Sequence, residues 1–267
     1  MNNLRTYGKK PFSIAVIHGG PGAGGEMAPV AVELTSLSHW GVLEPIQTAT
    51  SIDGQINEMK TILKKNGDFP ILLIGFSWGA WLSYLFAAHY PAFIKKLILI
   101  GSGPFKENYV EILRKTRIGR LSENERISYD NAIKIVSDPS AKGKTAALAR
   151  LGKLTLITDT FDLIVNESNK SNEINLVDLS GDIFQSVWEE AAELRRNGRL
   201  FNYGKNIKCP VVAIHGDHDP HPAEGVQCLS DIVRNFRFIL LKNCGHKPWV
   251  ERQARQTFFD ILKQEVR

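Results

Sequence analysis

Cysteine is scarce in this chain: Cys209, Cys228 and Cys244 are its 3 cysteines in 267 residues. So small and odd a number fits a reducing compartment, offers no metal-ligand spacing and argues against a disulfide framework. Long apolar runs are missing too. No stretch approaches the roughly 18 residues that cross a bilayer, and Met1 to Lys10 holds no signal-peptide core, so no membrane partner and a cytoplasmic location are expected. Clustered positive charge is also lacking. The net charge is +5, yet pairs such as Lys9-Lys10, Lys64-Lys65, Lys95-Lys96 and Arg195-Arg196 are dispersed and read as solvated helix ends or loop edges. Without a basic stripe interleaved with aromatics, no nucleic-acid partner is expected. Repeats and low-complexity segments are absent. What remains is an ordinary globular composition, 43% hydrophobic and 23% charged, long enough to bury a sizeable core.

Apolar runs followed by turn residues place strands near 12–17, 42–47, 70–75, 96–101, 210–215 and 236–241. Helical segments fall between them, near 27–38, 53–66, 78–90, 222–234 and 248–265. Such alternation specifies a mostly parallel sheet covered on both faces. Residues 104–205 break the alternation and read as helices joined by polar turns, one opening with a capping box at Ser122-Glu123-Asn124-Glu125.

The chemistry concentrates at strand ends. Pro70-Ile71-Leu72-Leu73-Ile74 runs into Gly75-Phe76-Ser77-Trp78-Gly79 and then into a helical run, the strand, sharp turn and helix of a G-x-S-x-G elbow. There a serine is exposed on a strained turn, and glycines on either side let neighbouring backbones pass. Ser77 is the candidate nucleophile. Phe12 to Ile17 runs into His18-Gly19-Gly20-Pro21-Gly22. Val211 to Ile214 runs into His215-Gly216-Asp217-His218-Asp219, and Phe238 to Leu241 into Asn243-Cys244-Gly245-His246. Candidate residues therefore appear in the chain order Ser, Asp, His.

That order, with His18-Gly19-Gly20-Pro21-Gly22 and Ser77-Trp78-Gly79, resembles the α/β-hydrolase superfamily and most closely its proline iminopeptidase branch. The resemblance implies an α/β-hydrolase core over residues 1–103 and 206–267 and an inserted helical cap over 104–205. Because family members usually carry an antiparallel strand pair first, and only about ten residues precede Phe12, one or both early strands are expected to be missing. It further implies Ser77, Asp219 and His246 as the catalytic triad, with backbone N–H groups of Gly20 and Trp78 forming the oxyanion hole. Asp217 is the alternative acid, and the family's Gly-x-x-Asp pattern prefers Asp219. His18 is expected to be structural. Within the cap, Trp188-Glu189 partly matches the pair with which iminopeptidases hold a substrate amine, which makes Glu189 a candidate substrate-binding residue. The alternative is that Glu189, Glu190 and Glu193 form a solvated helix face. Phe76 stands where those peptidases have glycine and would also face substrate.

The resulting expectation is a serine hydrolase acting on a small-molecule ester, amide or short peptide, with no cofactor. A proline iminopeptidase is the alternative, and a receptor that binds a small ligand without turnover a further one. His215, His218 and His221 suggest a metal, but Gly216 and Pro220 make their segment a loop matching no zinc motif, so no metal is expected. Gly20-Pro21-Gly22-Ala23-Gly24-Gly25 also satisfies G-x-G-x-x-G, with Glu44 at ribose-binding distance, a dinucleotide reading that leaves Ser77, Asp219 and His246 unexplained. Oligomeric state is not specified by the sequence.

Overall fold

The computed structural model describes residues 3–37, 39–164 and 179–266. Seven strands form one sheet: β1 (Leu4–Tyr7), β2 (Ile14–Ile17), β3 (Val42–Pro45), β4 (Ile71–Phe76), β5 (Ile94–Ile100), β6 (Val211–Gly216) and β7 (Phe236–Leu241), in the spatial order β1-β3-β2-β4-β5-β6-β7. All neighbours pair parallel except β1, which runs antiparallel to β3 with Leu4 opposite Pro45. So one antiparallel strand stands at the edge, within the ten residues that the sequence left unassigned.

Alternation along each strand divides the interior into two cores. Leu73, Leu97, Leu99 and Ala213 face one side, packing with α2 (Ile52–Asn66) and α3 (Trp78–His89). Leu72, Ile74, Ile98, Ile100 and Val212 face the other, against α1 (Ala28–Leu37) and the C-terminal helix. Both faces being covered, β4 is buried at every position, which is why its sequence is a continuous apolar run.

Between β5 and β6 lie α4 (Val110–Arg120), α5 (Glu123–Ser137), α6 (Lys144–Asp159), α7 (Gly181–Arg196) and α8 (Arg199–Asn202). Residues 165–178 of the expected cap fall outside the described residues. Ser122 and Glu125 form the reciprocal capping box, and Tyr129, Val136, Leu151 and Leu154 gather into a small core of their own. α7 is fastened to α3, to the start of α2 and to the segment that leaves β5. Trp188 stacks on Trp81 with centroids 5.7 Å apart and planes 5° from parallel. Glu190 accepts from the Ile52 N–H at the start of α2, at 2.8 Å. Arg195 pairs with Glu107 at 2.7 Å.

Two expected helices are shorter than their patterns. The segment 222–234 holds only α9 (Glu224–Gln227) and a 3₁₀ turn at Cys228–Asp231. Gly225, pressed so close that a Cβ would lie 2.7 Å from Pro104, sits in its first turn, and Ser230-Asp231 are poor helix formers. At the C-terminus, α10 starts only at Arg255 and runs to Glu265. A 3₁₀ turn occupies Pro248–Val250, and Glu251 bridges to Leu163 before the helix can begin.

Candidate active site

At the end of β4 the chain turns through Ser77, whose φ of 52° and ψ of −116° are strained for a residue with a side chain, and enters α3 at Trp78. The turn is made possible by its glycines. A Cβ on Gly75 would overlap the Gly79 carbonyl oxygen, and one on Gly79 would overlap the carbonyl oxygen of Ile17. The Ser77 N–H is fixed to the Ile100 carbonyl at 3.0 Å. Among the described residues its hydroxyl makes no hydrogen bond, and the side chain is partly exposed.

The glycine-rich turn after β2 is held by His18, which is buried. Its Nδ1–H donates to the Gly19 carbonyl at 3.0 Å, while Nε2 accepts from the Gln47 N–H at 3.2 Å. Burial lowers the imidazole's pKa, which suits a neutral ring that donates once and accepts once. Gln47 returns a bond from its amide to the His18 carbonyl at 3.1 Å, and its Oε1 accepts from the Trp78 indole at 3.0 Å. Gln55 adds a second acceptor for that indole at 3.1 Å. Thus the turn carrying Gly20, at φ +32°, is hydrogen-bonded through Gln47 to the helix that starts at Trp78. Neither glutamine is marked by any motif; only the position of Gln47 just past the end of β3 hints at a role.

Beyond β6, Asp219 is completely buried in its side chain. Oδ2 accepts from His246 Nδ1 at 2.7 Å. Oδ1 accepts from the backbone N–H of His221 at 3.0 Å and from its Nδ1 at 2.7 Å. His215 Nε2 lies 3.7 Å from Oδ2. Burial would raise this carboxyl, but His246, His221 and His215 outweigh it and hold it well below the usual carboxylate range. Asp217 does other work: it accepts from the Cys244 N–H at 3.2 Å and faces Lys242 at 3.7 Å.

His246 is held from several sides. Its N–H donates to the Asp159 carbonyl at the end of α6, at 2.7 Å. Its ring centroid lies 4.8 Å from that of Phe76 and 4.6 Å from that of His221. Phe76 is buried between His246 and Trp249. The adjoining Glu251 carboxylate, fully buried, accepts three backbone N–H bonds: from Gly245 at 2.9 Å, Phe161 at 2.9 Å and Asp162 at 2.7 Å. Asp159 is also bound by Arg117 of α4, with Nε 3.0 Å from Oδ1. A further ion pair, Glu26 with Lys247, ties the segment after the glycine turn to the residue next to His246.

Two candidates are placed elsewhere. Glu189 is exposed on α7 with its carboxylate 3.1 Å from Gln185 Nε2, and no contact joins it to Ser77, Asp219 or His246 among the described residues. Of the three suspected metal-binding histidines, His218 turns away to pack against Phe161 at 5.3 Å. Asp219, His221 and His246 do come within 4.8 Å of one another, but both imidazoles direct Nδ1 at the carboxylate, which only accepts, so each carries its proton there. The glycine turn is covered by the chain itself: Ser180 N–H donates to the Gly22 carbonyl at 3.1 Å, and a Cβ on Gly22 would sit 2.9 Å from the Ser180 oxygen. Glu44, the would-be ribose ligand, is buried and accepts from Tyr7 at 2.6 Å.

A family model described as alpha/beta hydrolase fold matches residues 21–133. Proline iminopeptidase from Mycobacterium smegmatis superposes with a TM-score of 0.69 at 15% identity, covering 98% of this chain and 93% of that one. The chain has the α/β-hydrolase fold. Another structure with this fold, from work on carboxylesterases of the thaumarchaeon Nitrososphaera gargenis, gives a TM-score of 0.69 at 17% identity over 98% of this chain and 93% of the other. In sequence, the α/β-hydrolase resemblance extends to the iminopeptidase branch. Proline iminopeptidase from Lactobacillus delbrueckii subsp. lactis is 23% identical over 262 residues, 91% of this chain and 86% of the relative. Among the described residues no helix is long and apolar enough to cross a membrane.

Proposed function

We propose that this protein is a serine hydrolase that cleaves a small ester or amide through an acyl-enzyme, with Ser77 as nucleophile, His246 as general base and Asp219 as its acid partner. The observation that carries the reading is the 2.7 Å bond from His246 Nδ1 to the buried Asp219 carboxylate, together with a serine held at positive φ on a strand-to-helix turn whose preceding residue, Phe76, packs on the His246 ring at 4.8 Å. With Nδ1 protonated by that bond, a neutral His246 presents an unprotonated Nε2, the form needed to take the Ser77 proton. The hydroxyl oxygen attacks the acyl carbon and the leaving group departs with the proton from His246. Water then repeats the sequence to release the acid. The oxyanion is met by the N–H of Trp78, at the first turn of α3 where helix donors are free, and by that of Gly20. Helices α4–α8, between residues 104 and 205, act as the cap that shapes the acyl site.

The carboxylesterase or simple amidase activity leads because Glu189, the cap carboxylate that resembles an amine anchor, faces Gln185 at the exposed surface of α7. A proline iminopeptidase is the second reading, supported by the similarity to the Lactobacillus enzyme over most of the chain. Measuring kcat/KM for p-nitrophenyl butyrate beside L-proline p-nitroanilide separates them. The account expects preference for the ester, and preference for the proline amide would assign the peptidase. Silence on both would leave a ligand-binding protein.

A further inference from the structure

Asp219 serves two histidines, and a hydrolytic triad needs only one. His221 lies two residues beyond it, is 7% exposed, and is clamped on three sides. Its N–H and Nδ1–H both go to Asp219 Oδ1, at 3.0 and 2.7 Å. Its carbonyl accepts from His215 Nε2 at 2.8 Å. Its ring lies 4.6 Å from that of His246, with 26° between the planes. Pro220 between them has no N–H to compete for the carboxylate and fixes its own φ, so the short turn presents both His221 donors to one oxygen.

We propose that His221 is a positioning residue of the active site: by saturating Asp219 Oδ1 it locks the carboxylate so that Oδ2 alone, in one orientation, holds His246. This rests on the hydrolase reading above. A carboxylate rotates about its terminal bond with little resistance, and an acid held by a single imidazole would leave that imidazole free to swing with it. Two bonds from His221 remove that freedom. The second ring also forms one wall for His246, in addition to the contact with Phe76.

The device works only while His221 is neutral, since an imidazolium beside His246 would oppose the positive charge that His246 acquires on taking the serine proton. The surroundings keep it so. Burial, with Arg117 of α4 and His246 of the loop after β7, pushes the His221 pKa down to about 4 against the attraction of Asp219. On the remaining sides stand His215 of β6, which bonds its carbonyl, and Asp159 at the end of α6, paired with Arg117.

Two substitutions separate the donor from the ring. His221→Phe keeps the ring and deletes the Nδ1–H donor; His221→Asn puts an amide N–H near the Nδ1 position and deletes the ring. With imidazole ¹⁵N labelling, the wild type should show, beside the Nδ1–H signals of His18 and His89 that go to backbone carbonyls, two that depend on Asp219; both of these should be lost in Asp219→Ala, and His221→Phe should lose one of them. On the ester substrate, kcat of His221→Phe should fall about tenfold to a hundredfold with KM little changed, the effect of one charge-assisted bond. His221→Asn should recover most of it. A single Nδ1–H signal lost in Asp219→Ala, a kcat for His221→Phe within twofold of wild type, or equal losses in both variants would overturn the proposal. The spectra do not require turnover. If no substrate is cleaved, the hydrolase reading fails while the two-histidine arrangement is still decided.

Discussion

Glu251→Ala should destabilise the protein by at least about 3 kcal/mol, although Glu251 takes no part in the chemistry. Its carboxylate, fully buried, accepts from Phe161, Asp162 and Gly245 at 2.7 to 2.9 Å. Truncation leaves these backbone donors without an acceptor, and a buried donor so stranded costs about 1–3 kcal/mol. Three of them sum to roughly 3–9 kcal/mol, against a total stability for a folded domain of about 5–15 kcal/mol. Glu251→Gln should cost less, because its one carbonyl oxygen can still serve the Gly245 and Phe161 donors that now share Oε1. The assay is urea unfolding followed by tryptophan fluorescence, with Trp249 beside the substituted position. The consequence reaches the site as well, since Gly245 precedes His246 and Phe161-Asp162 follow the end of α6. A Glu251→Ala protein within 1 kcal/mol of wild type would refute the reasoning, and so would Gln being worse than Ala.

The neighbouring carboxylates should behave oppositely. Asp219→Asn should lower kcat by about 10⁴, through loss of the His246 tautomer. Asp217→Asn, where the carboxylate among the described residues meets only the Cys244 N–H and Lys242, should stay within a few-fold in the same assay. Gly79→Ala would force a methyl against the Ile17 and His18 carbonyl oxygens, so a loss of about 1–3 kcal/mol in urea melts, together with reduced kcat, is expected; unchanged values would contradict the packing described. Acid should weaken the fold between the ordinary histidine value of about 6.5 and the His221 value of about 4. In that window the unfolded chain binds a proton that the folded one refuses, so stability present above it is lost as pH falls, up to about 3 kcal/mol for this group. Melting temperatures from pH 7 to 4.5 should therefore fall less steeply in His221→Phe, and an identical slope would remove His221 from the explanation.

What was legible in the sequence was whatever is local. β4 is visible because a strand buried on both faces must be a continuous apolar run, and the elbow because its clearances admit only glycine at 75 and 79. β1 escaped notice because Leu4-Arg5-Thr6-Tyr7 is a short edge strand with only one sheet neighbour and little apolar signal. Helical periodicity placed Glu189 and Glu190 on one helix but not their partners. Only packing decides that Glu190 receives the α2 N-terminus while Glu189 meets Gln185. Along the chain His221 stands out only as one of three closely spaced histidines that match no zinc motif, because sequence separation does not show which way each ring turns. The bond from His246 to the Asp159 carbonyl and the bonds of Glu251 with Phe161 and Asp162 join residues about ninety positions apart, beyond any pattern along the chain.

The central claim is that Ser77 is an activated nucleophile, and covalent labelling tests it most directly. The folded protein is treated with a fluorophosphonate probe, and the modified residue is located by mass spectrometry, with Ser77→Ala and His246→Ala alongside. The account predicts one adduct, on Ser77, absent from Ser77→Ala and strongly slowed in His246→Ala. An unlabelled wild type, or an adduct that persists in Ser77→Ala, would contradict it.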